Sequence, residues 1–311
     1  MKNRNVSVDL FRFLAALSIM FLHTCWGLDD SLLDAYPIIG IVIGRYPVIL
    51  FFTISGYYCF LQISKGRNAA KTQIRSLLKV YCVWTVVYYL MSFVLNVAAG
   101  HEPVGKFFAE RVLYFFTEGS YPHLWYVVSL IYVMILICLL YELCGEKGIR
   151  ILAAVSMILF MIGVLGTSYL PLGEQIPVLG DFYGWKYYFV FRNIFCLGLP
   201  GVMFGYYIVR LLPVIEKRPK LAETGFFITS VLGMIEGMLV IQKGWISDFP
   251  SMFLMPFVLI FGMSCLIRHP LGQLESHAVF LKRMSSYIYF VHPAVIAVLG
   301  FLLQVTGVHL S

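Results

Sequence analysis

The chain has 311 residues, of which 60% are hydrophobic and only 13% charged, and its mean hydropathy is +0.85. A soluble domain carries roughly 25% charged and 45–50% apolar residues, so this composition excludes an ordinary soluble enzyme, a disordered chain and a disulfide-held secreted domain. The net charge of +7 comes from short basic clusters between apolar runs, which is typical of a polytopic helical membrane protein and not of a nucleic-acid-binding one.

Nine segments are long and apolar enough to cross a bilayer, which takes about 20 residues per helix. In chain order we predict transmembrane helices at 8–28, 38–62, 77–98, 123–143, 149–168, 189–210, 222–242, 250–267 and 285–306. The connection 99–122 is the longest outer loop, and its run from Phe107 to Phe116 has the pattern of an amphipathic helix at the membrane surface. The seven cysteines form no CxxC pair, so we predict neither disulfides nor a metal site.

The distribution of basic residues predicts the orientation of these helices. With a cytoplasmic N-terminus, sixteen of the 23 Lys and Arg residues fall in cytoplasmic segments and four in outer segments. Because cytoplasmic loops carry the excess of positive charge, we predict this orientation, and nine helices then leave the C-terminus outside.

Ionisable residues inside a span are costly and mark candidate functional sites. Arg12 lies near the cytoplasmic end of the first helix, and His23 follows eleven residues later. Eleven residues make three turns plus about 20° and a rise of roughly 16 Å, so both side chains point to the same face.

The depths of the polar residues predict two layers. An upper layer, in the outer half of the membrane, contains His23, Arg45, His123, Arg192 and Glu236. A lower layer contains Arg12, Ser55, Tyr289 and His292, with Arg75 and Lys79 at its mouth. A cofactor with phosphates at Arg12 and an arm of about 16 Å would reach His23, and coenzyme A has that shape.

Several motifs in this order resemble the acyltransferase-3 family of membrane proteins. Asp9-Leu10-Phe11-Arg12, followed after ten residues by His23, is similar to its R-x10-H signature. The other matching runs are Arg45 to Pro47, Phe51 to Tyr57, Arg75 to Lys79, His123 to Tyr126 and Ser286 to Pro293. Arg192-Asn193, Ile235-Glu236 and Asp248 to Met252 are most similar to the membrane half of VanT-type proteins, which couple such a domain to a serine racemase.

The resemblance implies an integral membrane O-acyltransferase. It would move an acyl group, expected to be acetyl, from cytoplasmic acyl-CoA to a hydroxyl acceptor at the outer half of the membrane. His23 would act as the general base, and Glu236 would orient it. The residues expected to bind acyl-CoA are Arg12, Ser55, Arg75, Lys79, Tyr289 and His292. Those expected to bind the acceptor are Arg45, His123, Trp125, Arg192 and Asn193.

Family members usually have ten helices, so we expect residues 1–311 to be one transmembrane domain that is truncated before a final helix and any attached soluble domain. The expected location is the bacterial cytoplasmic membrane. Expected partners are membrane lipids and a small-molecule or glycan acceptor, with no nucleic acid and no metal; a homodimer is compatible with the sequence.

Other interpretations stay open at this point. The same polar layers would suit a transport domain for a small amino acid, with L-serine favoured by the VanT likeness and arginines binding its carboxylate. A third hypothesis, an inactive membrane anchor, is disfavoured by the retained polar residues. Each site residue also has a structural interpretation: His23 as a core histidine, Glu236 as the partner of an arginine, Arg12 as a group extending to the lipid headgroups, His123 as part of an aromatic belt and His292-Pro293 as a helix kink.

Overall fold

The computed structural model describes residues 5–28, 44, 46–65, 69–98, 100, 103–245 and 251–306. Every regular element within these ranges is a helix, which confirms the all-α class. Arg45 and most of the first part of the predicted second span, 38–43, lie outside the described residues.

The helices vary widely in length. In chain order they are α1 (Val6–Leu28), α2 (Tyr46–Ile63), α3 (Ala69–Ser92), α4 (Val104–Phe116), α5 (Trp125–Leu165), α6 (Leu170–Gly173), α7 (Pro177–Tyr183), α8 (Tyr188–Phe191), α9 (Leu199–Lys217), α10 (Lys220–Gln242), α11 (Met255–Arg268) and α12 (Ala278–Thr306). A π-helix (Phe93–Ala98) extends α3, and a second one (Arg192–Gly198) joins α8 to α9. Short 3-10 helices, Pro122–Leu124 and Gly272–His277, precede α5 and α12.

The described residues contain seven helical stretches long and apolar enough to cross a membrane. They are Val6–Thr24, Tyr46–Ile63, Ala70–Val97, Pro122–Leu165, Tyr188–Lys217, Lys220–Gln242 and Gly272–Leu303. The predicted spans 123–143 and 149–168 share the fourth stretch, and the predicted span 250–267 corresponds to the shorter apolar helix α11. An apolar helix thus occupies each predicted position, whereas the number of crossings and their orientation stay predictions.

Helix α5 is two segments that reverse direction at Gly145. This residue has φ 56° and ψ −146°, a conformation that is open only to glycine. A straight helix of 41 residues would be about 61 Å long, yet Trp125 at its start packs against the cluster that holds Phe160 and Val164 near its end. The two segments are therefore a hairpin, as the two predicted spans require.

Two ion pairs lie at this hairpin turn. Lys71 Nζ at the start of α3 is 2.6 Å from Glu142 Oε1, and Arg210 Nη2 of α9 is 2.7 Å from Glu146 Oε2. Such exposed pairs contribute little stability, but they bring together the start of α3, the turn of α5 and the second half of α9. The charge asymmetry of the sequence predicts all three on the cytoplasmic side.

The crossing of α2 and α9 depends on glycine. A Cβ added at Gly56 would overlap the Val202 carbonyl oxygen, and one added at Gly205 would overlap the Tyr57 backbone nitrogen. Gly201 and Gly205 form a GxxxG spacing, which lets two helix backbones approach closely inside a membrane. This contact lies at the centre of the bundle and holds α2 in place as part of the wall of the cavity described below.

Helix α4 is docked on the bundle through its backbone. The hydroxyls of Tyr81, Tyr89 and Tyr132 donate to the carbonyls of Phe115, Arg111 and Phe116. Phe107 is buried, whereas the Phe108 and Phe116 side chains are exposed. The predicted helix over this run is present, and one of its faces covers the end of the bundle.

Helix α1 packs along α12 and against α2. Ala15, Ala16 and Ile19 of α1 form a buried cluster with Phe51 of α2, and the small alanine side chains let the helices approach closely. Since His23 lies one turn beyond Ile19, this packing brings it to α12.

Candidate active site

A cavity of about 690 Å³ lies at the end of the bundle that α4 covers. Its wall contains four of the predicted site residues, namely His23, His123, Trp125 and Tyr289. The apolar part of the wall comes mainly from α1 and α2, with Ile19, Leu22, Val48, Ile49 and Phe51. This arrangement is that of a ligand pocket, which is typically mostly apolar with a few polar groups at defined points.

Three histidines and a tyrosine meet at one side of this cavity. The His23 and His292 ring centroids are 5.3 Å apart, and His123 lies 5.8 Å from His292 and 5.3 Å from Tyr289. The Tyr289 hydroxyl donates to the backbone carbonyl of His123. The sequence predicted each of these residues, but it did not predict that all four are neighbours.

The hydrogen bonds of the cluster leave nitrogen atoms available. His292 Nδ1 lies 2.8 Å from the Ile288 carbonyl oxygen, so Nδ1 is the protonated nitrogen, and in the neutral ring Nε2 carries the lone pair. That Nε2 atom and both ring nitrogens of His123 are buried, with no hydrogen-bond partner among the described residues. Buried polar atoms are normally paired, so these atoms fit a site that binds a polar ligand.

The predicted depth of Tyr289 and His292 is wrong. Both were expected in the lower layer with Arg12, and the structure places both beside His23 and His123. The reason is that α12 begins at Ala278, whereas the predicted span begins at 285, so each residue lies about two turns deeper from the helix start.

Arg12, which was predicted in the lower layer, lies against α2 in the structure. Arg12 Cζ lies 5.7 Å from the Phe51 ring centroid, and its buried Nε atom has no hydrogen-bond partner within the described ranges. The Ser55 hydroxyl donates to the Phe51 carbonyl at 2.9 Å. Arg75 and Lys79 are exposed on α3, and the described contacts do not join them to Arg12.

Glu236 does not contact the histidine cluster in the described structure. Its carboxylate accepts from the backbone N–H groups of Phe253 and Leu254, at 2.7 and 3.0 Å, and from the Tyr169 hydroxyl at 2.8 Å. The two N–H groups stand at the start of α11, where backbone donors have no acceptor within the helix and a nearby carboxylate is favourable. Burial, with Glu236 adding to it, raises the pKa of Tyr169. The predicted orienting of His23 by Glu236 is corrected accordingly: the carboxylate holds the start of α11.

Arg192 and Asn193 lie on the π-helix and are both buried. Arg192 Nη2 donates to Asn193 Oδ1 at 3.2 Å, and its Cζ lies 4.7 Å from the Phe189 ring centroid. Phe189 lines the cavity, whereas neither Arg192 nor Asn193 is part of its wall. The π-helix precedes Pro200, which lacks the N–H that a regular turn would use.

Arg111, Asn96 and Ser120 line the cavity but were missed by the sequence analysis. Arg111 was counted only as one of four outer basic residues, and the tertiary fold of α4 brings it to the cavity. Burial raises the pKa of the neighbouring Tyr121, and the positive charge of Arg111 opposes that rise.

Over the ranges that are described, no three His, Cys, Asp or Glu side chains are grouped as metal ligands.

Comparisons with known proteins agree with the sequence motifs. The model of an acyltransferase-3 family, described as an acyltransferase domain, matches residues 5–310. Similar proteins include a serine/alanine racemase of Enterococcus gallinarum, 28% identical over 97% of this chain and 42% of that protein. An amino-acid racemase of Enterococcus faecalis is 26% identical over 96% of this chain and 42% of its own length. The chain therefore spans less than half the length of these relatives, and no solved structure matches.

Proposed function

The chain belongs to the acyltransferase-3 family, and we propose on that basis that it is a multi-pass O-acyltransferase of the bacterial cytoplasmic membrane. The donor is acyl-CoA from the cytoplasm, and the transferred group is expected to be acetyl. The acceptor is a hydroxyl compound that enters the cavity from the outer side. The observation that carries this proposal is the position of His23 at the cavity wall, on the same helix as Arg12.

The chemistry assigned to His23 is general base catalysis. Its imidazole takes the proton of the acceptor hydroxyl as the oxygen attacks the thioester carbonyl carbon. The carbon–sulfur bond then breaks, and the leaving thiolate of coenzyme A takes the proton from His23. The products are the acylated acceptor and free coenzyme A.

Two further residues have roles in this mechanism. His292, with its ring 5.3 Å from that of His23, acts as a positioning residue in place of Glu236. Arg12 binds the phosphates of the donor: its buried Nε atom, which has no hydrogen-bond partner among the described residues, fits an anionic ligand, because guanidinium groups bind phosphate oxygens with paired hydrogen bonds.

Thermal unfolding of the detergent-purified protein tests this function. We expect acetyl-CoA and CoA to raise the unfolding temperature, since a ligand at 100 times its dissociation constant adds about 2.7 kcal/mol. Arg12→Ala should abolish this stabilisation. His23→Ala should keep it while lowering the rate of acetyl transfer by about 10²- to 10⁴-fold.

Arg150→Ala is the matched control for Arg12→Ala, because Arg150 is an exposed arginine remote from the cavity wall. Donor-dependent stabilisation that persists in Arg12→Ala would move the phosphate site elsewhere. No stabilisation of the unsubstituted protein by either CoA species would contradict the acyltransferase.

A second candidate function is transport of a small amino acid. It is favoured by the similarity to the racemases, one of which is named for serine and alanine. Stabilisation by L-serine, with none by acetyl-CoA or CoA, would favour transport over acyl transfer.

A further inference from the structure

Arg111 occupies an unusual position for an arginine of a surface helix. Its Cζ lies 4.9 Å from the Phe107 ring centroid and 5.9 Å from that of Tyr114, and its Nε atom is fully buried. Stacking on rings uses the faces of the guanidinium and leaves its N–H groups directed outward in the plane. Arg111 also lines the cavity that His23 lines.

The charge of Arg111 lacks a counter-ion within the described ranges. Lys106 on the same helix pairs with Glu110 at 3.7 Å, and Arg210 pairs with Glu146. The Arg111 side chain makes no such ion pair with a described residue, and Glu118, although it lines the same cavity, is not an ion-pair partner either. A partly buried cation without a partner is unfavourable, so an anion that enters the cavity gains from binding there.

The backbone around Arg111 is held in place. The Tyr89 hydroxyl donates to the Arg111 carbonyl, and Tyr81 and Tyr132 hold the last turn of α4 in the same way. A guanidinium on a fixed backbone, in contact with two rings, loses little freedom when it binds a planar anion. This is the preorganisation expected of a recognition site.

We propose that Arg111 binds the carboxylate of the acyl acceptor, which is therefore a small hydroxy acid or hydroxy amino acid. The guanidinium matches a carboxylate with two parallel hydrogen bonds. The acceptor's carboxylate lies at Arg111 and its hydroxyl faces His23 in the same cavity. This assignment rests on the proposed function, because it gives Arg111 a role toward the acceptor and not toward the donor.

Thermal stabilisation by two matched pairs of compounds tests the assignment without requiring acyl transfer. The pairs are L-serine with L-serinamide and glycerate with glycerol, which differ in the carboxylate. We expect the carboxylates to stabilise the full chain more than their neutral analogues. Arg111→Gln should weaken carboxylate binding by about 10- to 100-fold and leave stabilisation by acetyl-CoA unchanged.

Lys106→Gln is the control, because it removes the same charge from the same helix at an exposed, ion-paired position. Arg111→Lys should bind the carboxylates more weakly than arginine and more strongly than glutamine, since it keeps the charge without the planar pair of donors.

Several outcomes would overturn the proposal: equal stabilisation by acid and neutral analogue, no stabilisation by either acid, or the same loss in Lys106→Gln. Carboxylate binding that depends on Arg111, in a protein that acetyl-CoA does not stabilise, would support this site while contradicting the acyltransferase.

Discussion

Buried polar side chains in this protein divide into those that serve the helices and those that face the cavity. Glu236 has three described donors, two of them backbone N–H groups at the start of α11. The nitrogens of His123 and Nε2 of His292 have no described partner and lie beside His23. Satisfied groups of the first kind stabilise the fold, whereas unsatisfied ones of the second kind are available to a ligand.

Glu236→Gln tests the structural role of this carboxylate. We expect a loss of about 1–3 kcal/mol in stability, because two charge-assisted hydrogen bonds to backbone N–H groups are weakened. Thermal unfolding without ligand measures the loss. The rate of acetyl transfer per folded molecule should change little. A normal unfolding temperature with a rate lowered about a thousandfold would instead support a catalytic role for Glu236.

His292→Gln distinguishes positioning of His23 from binding of the donor. If His292 orients His23, kcat for acetyl transfer should fall by about 10- to 100-fold with KM for acetyl-CoA unchanged. Steady-state kinetics separates the two parameters. A raised KM with normal kcat would instead support the acyl-CoA-binding role that the sequence predicts for His292. The exposed histidine of the last 3-10 helix, replaced as His277→Gln, is the control.

At the scale of elements, close backbone contacts and helix starts decide where the site residues lie. The α2–α9 crossing at Gly56 and Gly205 holds α2 in the cavity wall. The start of α12 at Ala278 determines the depth at which His292 lies in the bundle. A shift of two turns in a helix start moves a side chain by about 10 Å, which is enough to transfer it between the two predicted layers.

Gly205→Ala is the change that should damage this packing most directly. The added Cβ would overlap backbone atoms of Tyr57 and Gly56, and backbone cannot move as a flexible side chain can. We expect a destabilisation of about 1–3 kcal/mol, measured as a lower unfolding temperature in detergent. Gly300→Ala, where no atom of the described residues lies within 4 Å of the added Cβ, should be neutral or slightly stabilising. Equal effects of the two changes would contradict the close crossing.

At the scale of the whole molecule, basic residues that the charge distribution predicts on the cytoplasmic side lie together at the Gly145 turn. Lys71, Glu142, Glu146 and Arg210 are joined at one end of the bundle, and the cavity lies at the end covered by α4. The orientation predicted from charge would then open the cavity toward the outer side and place Arg12 toward the cytoplasm.

Cysteine labelling of intact cells tests this orientation. In a background without the native cysteines, Lys106→Cys on α4 should react with a membrane-impermeant maleimide added outside. Lys217→Cys at the end of α9 should react only after the membrane is permeabilised, because the positive-inside rule places it in the cytoplasm. Both lysines are exposed, so access depends on sidedness. The opposite labelling pattern would invert the topology.

Much of this protein was predictable from local sequence. Helical class, the apolar segments and the shared face of Arg12 and His23 follow from composition and from the 3.6-residue period, which involve only neighbours along the chain. The hairpin at Gly145 was predictable too, since two lengths of apolar residues were separated by a charged, glycine-containing segment.

The partners of individual side chains depended on the tertiary structure. From the sequence, Glu236 could contact either His23 or the start of α11, and the structure shows the second. Arg111 has no special feature in the sequence, and it lines the cavity because α4 packs on the bundle. The sequence by itself determined which residues are too polar for lipid, because that cost belongs to each residue. Only the packing of helices distant in the chain decided which of them meet, because contacts between helices depend on crossing points and helix starts that local periodicity does not encode.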